Sequence, residues 1–206
     1  MRYAPDHKTC TRNQILVAAG RLFRGDGYKA TSIDAVMAEA GLTRGGFYHH
    51  FRSKAALLAA IVRTDNHLIR LLERRDGTTP EALAAGAQTI LDFYLGPENR
   101  DIVARRCTMA ALSTEIGRGP QAAREAFAEA LDRLSQELSR SLKNPKEHDP
   151  RALAATALTI GGAILAQAGG ADENLATAML NACRDEVRRL IEPERPSEKP
   201  AQPLAT

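Results

Sequence analysis

Apolar residues return every third or fourth position through most of the 206-residue chain, and no stretch carries the strict alternation of a half-buried strand. Ile15, Ala18, Ala19, Leu22 and Phe23 predict a first helix from Arg12 to about Arg24, broken by Gly25, Asp26 and Gly27. Ile33, Val36, Met37 and Ala40 predict a short second helix, with Thr31 or Ser32 at its N-cap and Gly41 as its stop. Leu42 plugs the core, and Thr43 caps a third helix from Arg44 to about Phe51, in which Phe47 and Phe51 face inward. Ser53 opens a long fourth helix to about Arg75, with Leu57, Leu58, Ile61, Val62, Leu68, Ile69 and Leu72 inside.

Gly77 and Pro80 separate that helix from a fifth, which ends at about Leu95 before Gly96 and Pro97. A sixth spans roughly Ile102 to Ile116. A seventh follows Gly117 to Pro120, with Ala123, Phe127, Ala130, Leu131, Leu134, Leu138 and Leu142 on one stripe. Asp149 and Pro150 start an eighth, uncharged from Ala152 to Ala171, and a ninth covers about Asn174 to Ile191. The uncharged helix has the length of a membrane span, but its threonines, glutamine and glycines dilute it. A helix apolar on all sides is otherwise buried on all sides, here between its own core and a second subunit, so no membrane partner is expected. The fold class is therefore all-α, with about nine helices.

The segment from Thr31 to Lys54 has the grammar of a helix-turn-helix: capped helix, glycine stop, second cap, second helix. In such a unit the second helix enters the major groove of DNA and needs exposed donors and small residues there. Gly45 and Gly46 would each cost an isolated helix about 1 kcal/mol relative to alanine, and close approach to a DNA backbone is a reason to keep them. Charge agrees. Up to Thr64 there are ten Lys and Arg against four Asp and Glu, whereas the remainder carries 18 against 21. A basic end beside an acidic remainder suits a polyanion at the N-terminus, although a solvated basic face has the same composition.

Over Arg12 to Leu58, with TSIDAVMAEAGLTRGGFYHHFRSKAALL as its core, the chain resembles the TetR family of bacterial transcriptional regulators. The resemblance implies an all-helical homodimer with an N-terminal three-helix DNA-binding domain and a C-terminal domain for ligand binding and dimerisation. It divides the chain into a flexible arm (1–8), a helix-turn-helix domain (9–53), a ligand-binding and dimerisation domain (54–192) and a disordered proline-rich tail (193–206). It makes Thr31 and Tyr48 phosphate contacts, Arg44, Gly46 and His49 the groove-facing group, and Lys54 a phosphate anchor. Thr43 joins this set as the cap, and His50 serves packing or backbone contact. Of these only Arg44 has the fork for a bidentate guanine contact.

By the same analogy an effector chamber lies among helices four to eight, with His67, Phe93, Tyr94, Cys107, Met109, Leu112 and Phe127 as candidate lining; each is also an ordinary core or surface residue by type. Cys107 follows Arg105 and Arg106 near a helix N-terminus, features that favour thiolate, and some TetR-like proteins use a cysteine at about this place as a sensor. The eighth and ninth helices are expected to form the dimer interface through Leu153, Ile160, Gly161, Ile164, Met179, Cys183 and Val187. Cys10, Cys107 and Cys183 lie far apart without metal spacing, so neither a disulfide framework nor a metal is expected, and no cofactor. No signal-peptide pattern opens the chain, which places it in the cytoplasm. Phosphate-loop and dinucleotide motifs are absent, and no nucleophile–base set is visible, which argues against an enzyme. The function expected is a ligand-responsive repressor that binds a palindromic operator as a homodimer and is released by a small molecule or a thiol-reactive signal. The alternative is a DNA-binding protein of the same fold that recruits a protein partner without an effector.

Overall fold

Residues 5–192, which the computed structural model describes, form ten α-helices and two short 3-10 helices, and no strand occurs among the described residues. The first helix, α1 (Pro5–Asp26), includes residues 5–8, which were expected in a flexible arm. Residues 1–4 of that arm and the tail 193–206 lie outside the described residues. Gly27 ends α1 at φ +90°, and a Cβ there would stand 2.7 Å from Glu115 Oε1, so side-chain space and backbone both require glycine.

Ser32 is the cap of α2 (Ile33–Glu39), its hydroxyl accepting the Ala35 N–H at 3.0 Å. Gly41, at φ +68°, turns the chain out of it. The segment after the turn is a 3-10 helix, Arg44–His49, rather than an α-helix to Phe51. Two glycines lower its helix propensity, and Thr43 makes no side-chain capping bond, so the short segment winds tightly and stops.

The expected helix from Ser53 to Arg75 is two helices, α3 (Lys54–Thr64) and α4 (His67–Glu73). Asp65 leaves helical geometry at ψ 53° because its carboxylate is drawn sideways to Arg24 of α1. Asn66, 5% exposed, turns its Nδ2 back to the Val62 carbonyl at 2.5 Å. Both residues compete with helix through their own side chains. The far end of α4 is clamped by Arg75, whose guanidinium donates to the Leu72, Leu83 and Glu137 carbonyls and to the Glu137 carboxylate.

After α5 (Pro80–Tyr94) and a 3-10 turn (Pro97–Asn99), the expected sixth helix is also broken, at Cys107, into α6 (Arg100–Arg106) and α7 (Thr108–Gly117). The backbone at Cys107 is extended, and its Sγ takes the Ala110 N–H as a cap would. Then come α8 (Gln121–Ser139), α9 (Pro150–Ala168) and α10 (Glu173–Ile191).

Two apolar clusters result. Ile15, Phe23, Met37, Phe47 and Phe51 pack with Leu57, Leu58 and Ile61 of α3, and Leu112, Ile116, Ala123 and Ala126 of α7 and α8 join them. The second gathers Leu68, Leu72, Leu91, Met109, Leu134, Ala163, Leu180 and Val187. Within it α9 and α10 pack so closely that a Cβ on Gly162 would lie 2.9 Å from Cys183 Sγ. By length and composition α9 passes for a membrane span at mean hydropathy 1.3, and 44% of that window is buried against the rest of the chain.

Candidate nucleic-acid interface and ligand cavity

The turn between α2 and the 3-10 helix presents one exposed face. Thr43, Arg44, Gly45, Tyr48 and His49 are exposed and Gly46 partly so, while Phe47 beneath them is fully buried. Nothing stands within 4 Å of a Cβ built on Gly45, and Gly46 would meet only the Met37 methyl at 3.6 Å. Neither glycine has a positive φ, so neither is explained by the fold of its own chain. Arg44 Nη1 donates to Asp34 Oδ2 at 2.9 Å, an ion pair in which both side chains are largely exposed and which is therefore weak and exchangeable.

Three members of the expected DNA-contacting set turn inward instead. Thr31 is 5% exposed, and its hydroxyl donates to the Gly27 carbonyl at 2.8 Å, which fastens the loop after α1. Lys54 Nζ donates to the Thr31 carbonyl at 2.7 Å and to that of Lys29 at 3.3 Å, and sits 4.5 Å from the Tyr28 ring centroid. Burial lowers its pKa, opposed by the charge of Glu115. His50 is half-buried with Nδ1 enclosed and without a hydrogen-bond partner. Burial, then the positive charges of Lys8, His49 and Arg12, push its pKa below the usual imidazole value. The side chains that would have met phosphate are thus committed to the scaffold, since backbone carbonyls at the end of the α1–α2 loop need the donors.

That scaffold is tied to the rest of the chain at two places. Glu115 of α7 accepts the Tyr28 backbone N–H at 2.6 Å. Arg24, near the end of α1, pairs with Asp65 at the break between α3 and α4 and donates to Thr108 Oγ1 at 3.1 Å, and that hydroxyl donates to Asp65 Oδ2 at 3.2 Å. Asp65, Arg24 and Thr108 therefore join three helices at one point.

The same point is the wall of a cavity of about 120 Å³, lined by Asp65, Asn66, His67, Leu68, Leu71, Ile90, Phe93, Tyr94, Ile102, Val103, Cys107, Thr108 and Met109. Five of the seven residues expected to line a chamber are here: His67, Phe93, Tyr94, Cys107 and Met109. Leu112 is not, because it faces the N-terminal core. Phe127 lies in a different groove, with Leu131, Leu153, Ala157 and Ile160, on the outer side of α8 and α9. Asp65, Asn66 and Thr108 were absent from the expectation because an unbroken helix was read through each break. The consecutive Asp65 and Asn66, poor helix formers inside an apolar stripe, were the available signal.

Inside the cavity Tyr94, 8% exposed, donates its hydroxyl to Cys107 Sγ at 2.8 Å. Burial raises the Cys107 pKa, against the Tyr94 hydrogen bond, the Ala110 and Met109 N–H groups and the charge of Arg24, which all lower it. Desolvation wins, so the expectation of a thiolate at this helix start is corrected: Cys107 is a protonated thiol at neutral pH. Burial and the same pair push the Tyr94 phenol well above its ordinary value.

On the outer face of α9 and α10, Leu153 (44% exposed), Leu165 (54%) and Leu175 (53%) stand in solvent, with Gly161, Ile164 and Met179 partly covered. Leu165 and Leu175 were not among the expected interface residues. Ile160 and Val187 are buried inside their own chain and Cys183 packs on Gly162, because the α9–α10 pair consumes that side of each helix. These three residues are not available to a partner.

Residues 15–61 match the profile described as bacterial regulatory proteins, tetR family. The HTH-type transcriptional repressor Rv1474c of Mycobacterium tuberculosis is 26% identical over 192 residues, 91% of this chain and 98% of that protein. The transcriptional regulator AcuR of Cereibacter sphaeroides is 32% identical over 179 residues, 80% of this chain and 78% of its own. Among solved structures, the multidrug binding protein EbrR complexed with imidazole superimposes with a TM-score of 0.65 at 25% identity, covering 94% of this chain and 93% of EbrR. All-helical architecture with an N-terminal helix-turn-helix and these relatives define a DNA-binding transcriptional regulator. The chain belongs to the TetR family.

Proposed function

We propose that this regulator is a repressor that binds a palindromic operator as a homodimer and is released when a small molecule enters the cavity beside Cys107. The observation that carries the reading is the junction of Asp65, Arg24 and Thr108, which is both cavity wall and anchor of α1. A ligand that favours another setting of α4 or α7 shifts the Asp65 carboxylate, and with it the helix on which the helix-turn-helix is mounted. Arg44, Tyr48, His49, Thr43 and the open backbone at Gly45 and Gly46 form the DNA face. Thr31, Lys54 and His50 hold it in shape. The exposed leucines of α9 and α10 suit a two-fold contact with a second copy, which would set two faces about one helical turn apart. The name of Rv1474c carries the word repressor, EbrR was solved with a small ligand, and both agree with this reading. A buried, protonated Cys107 favours a non-covalent effector over a thiol-reactive signal.

The test is a fluorescence-anisotropy titration of the duplex upstream of the protein's own gene against a scrambled duplex at the same salt. Tight binding to the first alone is expected, with Asp65→Ala changing that affinity severalfold while the chain stays folded. An unaltered affinity in Asp65→Ala overturns the role of the junction.

A further inference from the structure

The polar groups that line the cavity are spoken for, with one exception. The Asp65 carboxylate accepts from Arg24 and Thr108, the Thr108 hydroxyl is shared between them, and the Tyr94 hydroxyl donates to Cys107. Asn66 donates its Nδ2 to the Val62 carbonyl, which leaves Oδ1 on the other edge of the amide, enclosed and with no hydrogen-bond partner. Asn66 is 5% exposed and lines the cavity between the apolar Leu68, Leu71, Ile90 and Val103. A buried acceptor without a donor is costly unless something supplies one.

We infer that the cavity takes a small, largely apolar molecule carrying a hydrogen-bond donor, a hydroxyl or an N–H, and that Asn66 Oδ1 is the acceptor that selects it. This rests on the reading of the cavity as the effector site. Size agrees: an apolar protein cavity of about 150 Å³ takes up benzene, and the space here is about 120 Å³. The lining has no free cation for a carboxylate ligand, since the nearest guanidinium, Arg24, is held by Asp65, and it has no unpaired carboxylate for a cationic one. A single neutral donor on an apolar body is the complement. The placement also connects selection to release. Asn66 follows Asp65 in the break between α3 and α4, so a donor that pulls on Asn66 acts on the residue next to the anchor of α1.

Phenol and fluorobenzene, nearly equal in shape and differing in the donor, are the probes. Each is titrated into the full chain while the Met109 methyl resonance is followed, because Met109 lines the cavity and is buried. The ratio of the two dissociation constants is expected to favour phenol in the wild type and to fall about tenfold in Asn66→Leu, the worth of one hydrogen bond to a buried acceptor. Should that variant fail to fold, the wild type still decides: the Asn66 side-chain carbonyl carbon is expected to shift with phenol and not with fluorobenzene. Binding of both probes with an unchanged ratio in the variant, or with no shift at Asn66, overturns the donor selection and leaves the cavity as the effector site. No response of Met109 to either probe overturns both.

Discussion

At the scale of single residues, chemistry that is visible in a sequence can be committed elsewhere once the chain folds. Thr31 and Lys54 carry the donors that phosphate would want, and both spend them on carbonyls at the end of the α1–α2 loop. Cys107 begins α7, which favours thiolate, but desolvation outweighs that advantage. Arg44 is the reverse case, since its exposed pair with Asp34 is weak and its fork remains exchangeable for a base edge. Arg44→Ala is therefore expected to reduce the ratio of operator to random-DNA affinity about tenfold or more, with affinity for the random duplex changed far less. Two anisotropy titrations at one salt concentration measure it, and an unchanged ratio removes Arg44 from the base-reading face.

At the scale of elements, the two helix breaks matter most. Periodicity ran correctly through 53–75 and 102–116, yet each stretch is two helices, because Asp65 and Cys107 make side-chain bonds that an unbroken helix would not allow. The start of α9 shows the opposite outcome, an expected cap that is fully satisfied. Asp149 is buried and accepts from the Arg151 guanidinium and from the backbone N–H groups of Arg151 and Lys146, and these bonds hold its pKa at about 2, against an ordinary 3.8. The folded value lies below the unfolded one, so the stabilisation is present above about pH 4 and is lost as pH falls through the folded value near 2. Asp149→Ala is expected to cost roughly 1–2 kcal/mol at neutral pH and to flatten that acid limb in urea denaturation. A variant with the wild-type acid profile would show that the cap carries no such linkage.

At the scale of the whole molecule, the apolar surface of α9 and α10 is the least satisfied part of the described chain. Three leucines exposed along one pair of helices form the kind of patch that marks an interface. Leu165→Glu is expected to convert a dimer to a monomer in analytical ultracentrifugation at micromolar concentration and to weaken operator binding with it, because two half-sites are then no longer read together. A variant that stays dimeric moves the interface off this face.

Helical class, the helix-turn-helix with its Gly41 turn, the caps Ser32, Ser53 and Asp149, and the basic N-terminal end were all determined by the sequence itself. These are local properties: a 3.6-residue period, a residue able to take positive φ, a hydroxyl or carboxylate within three residues of a free N–H. Only the tertiary structure decided what depends on distant partners. Whether Asp65 and Cys107 interrupt a helix depends on Arg24, 41 residues from Asp65, and on Ala110 and Tyr94. Whether Cys183 and Val187 face a partner depends on which sides of α9 and α10 consume each other. The unsatisfied Asn66 Oδ1 exists only because the residues around it are brought together with all their own bonds made. Periodicity tells which face of a helix is apolar, but the neighbour that covers it, and the polar atom left uncovered, are set by packing across the whole chain.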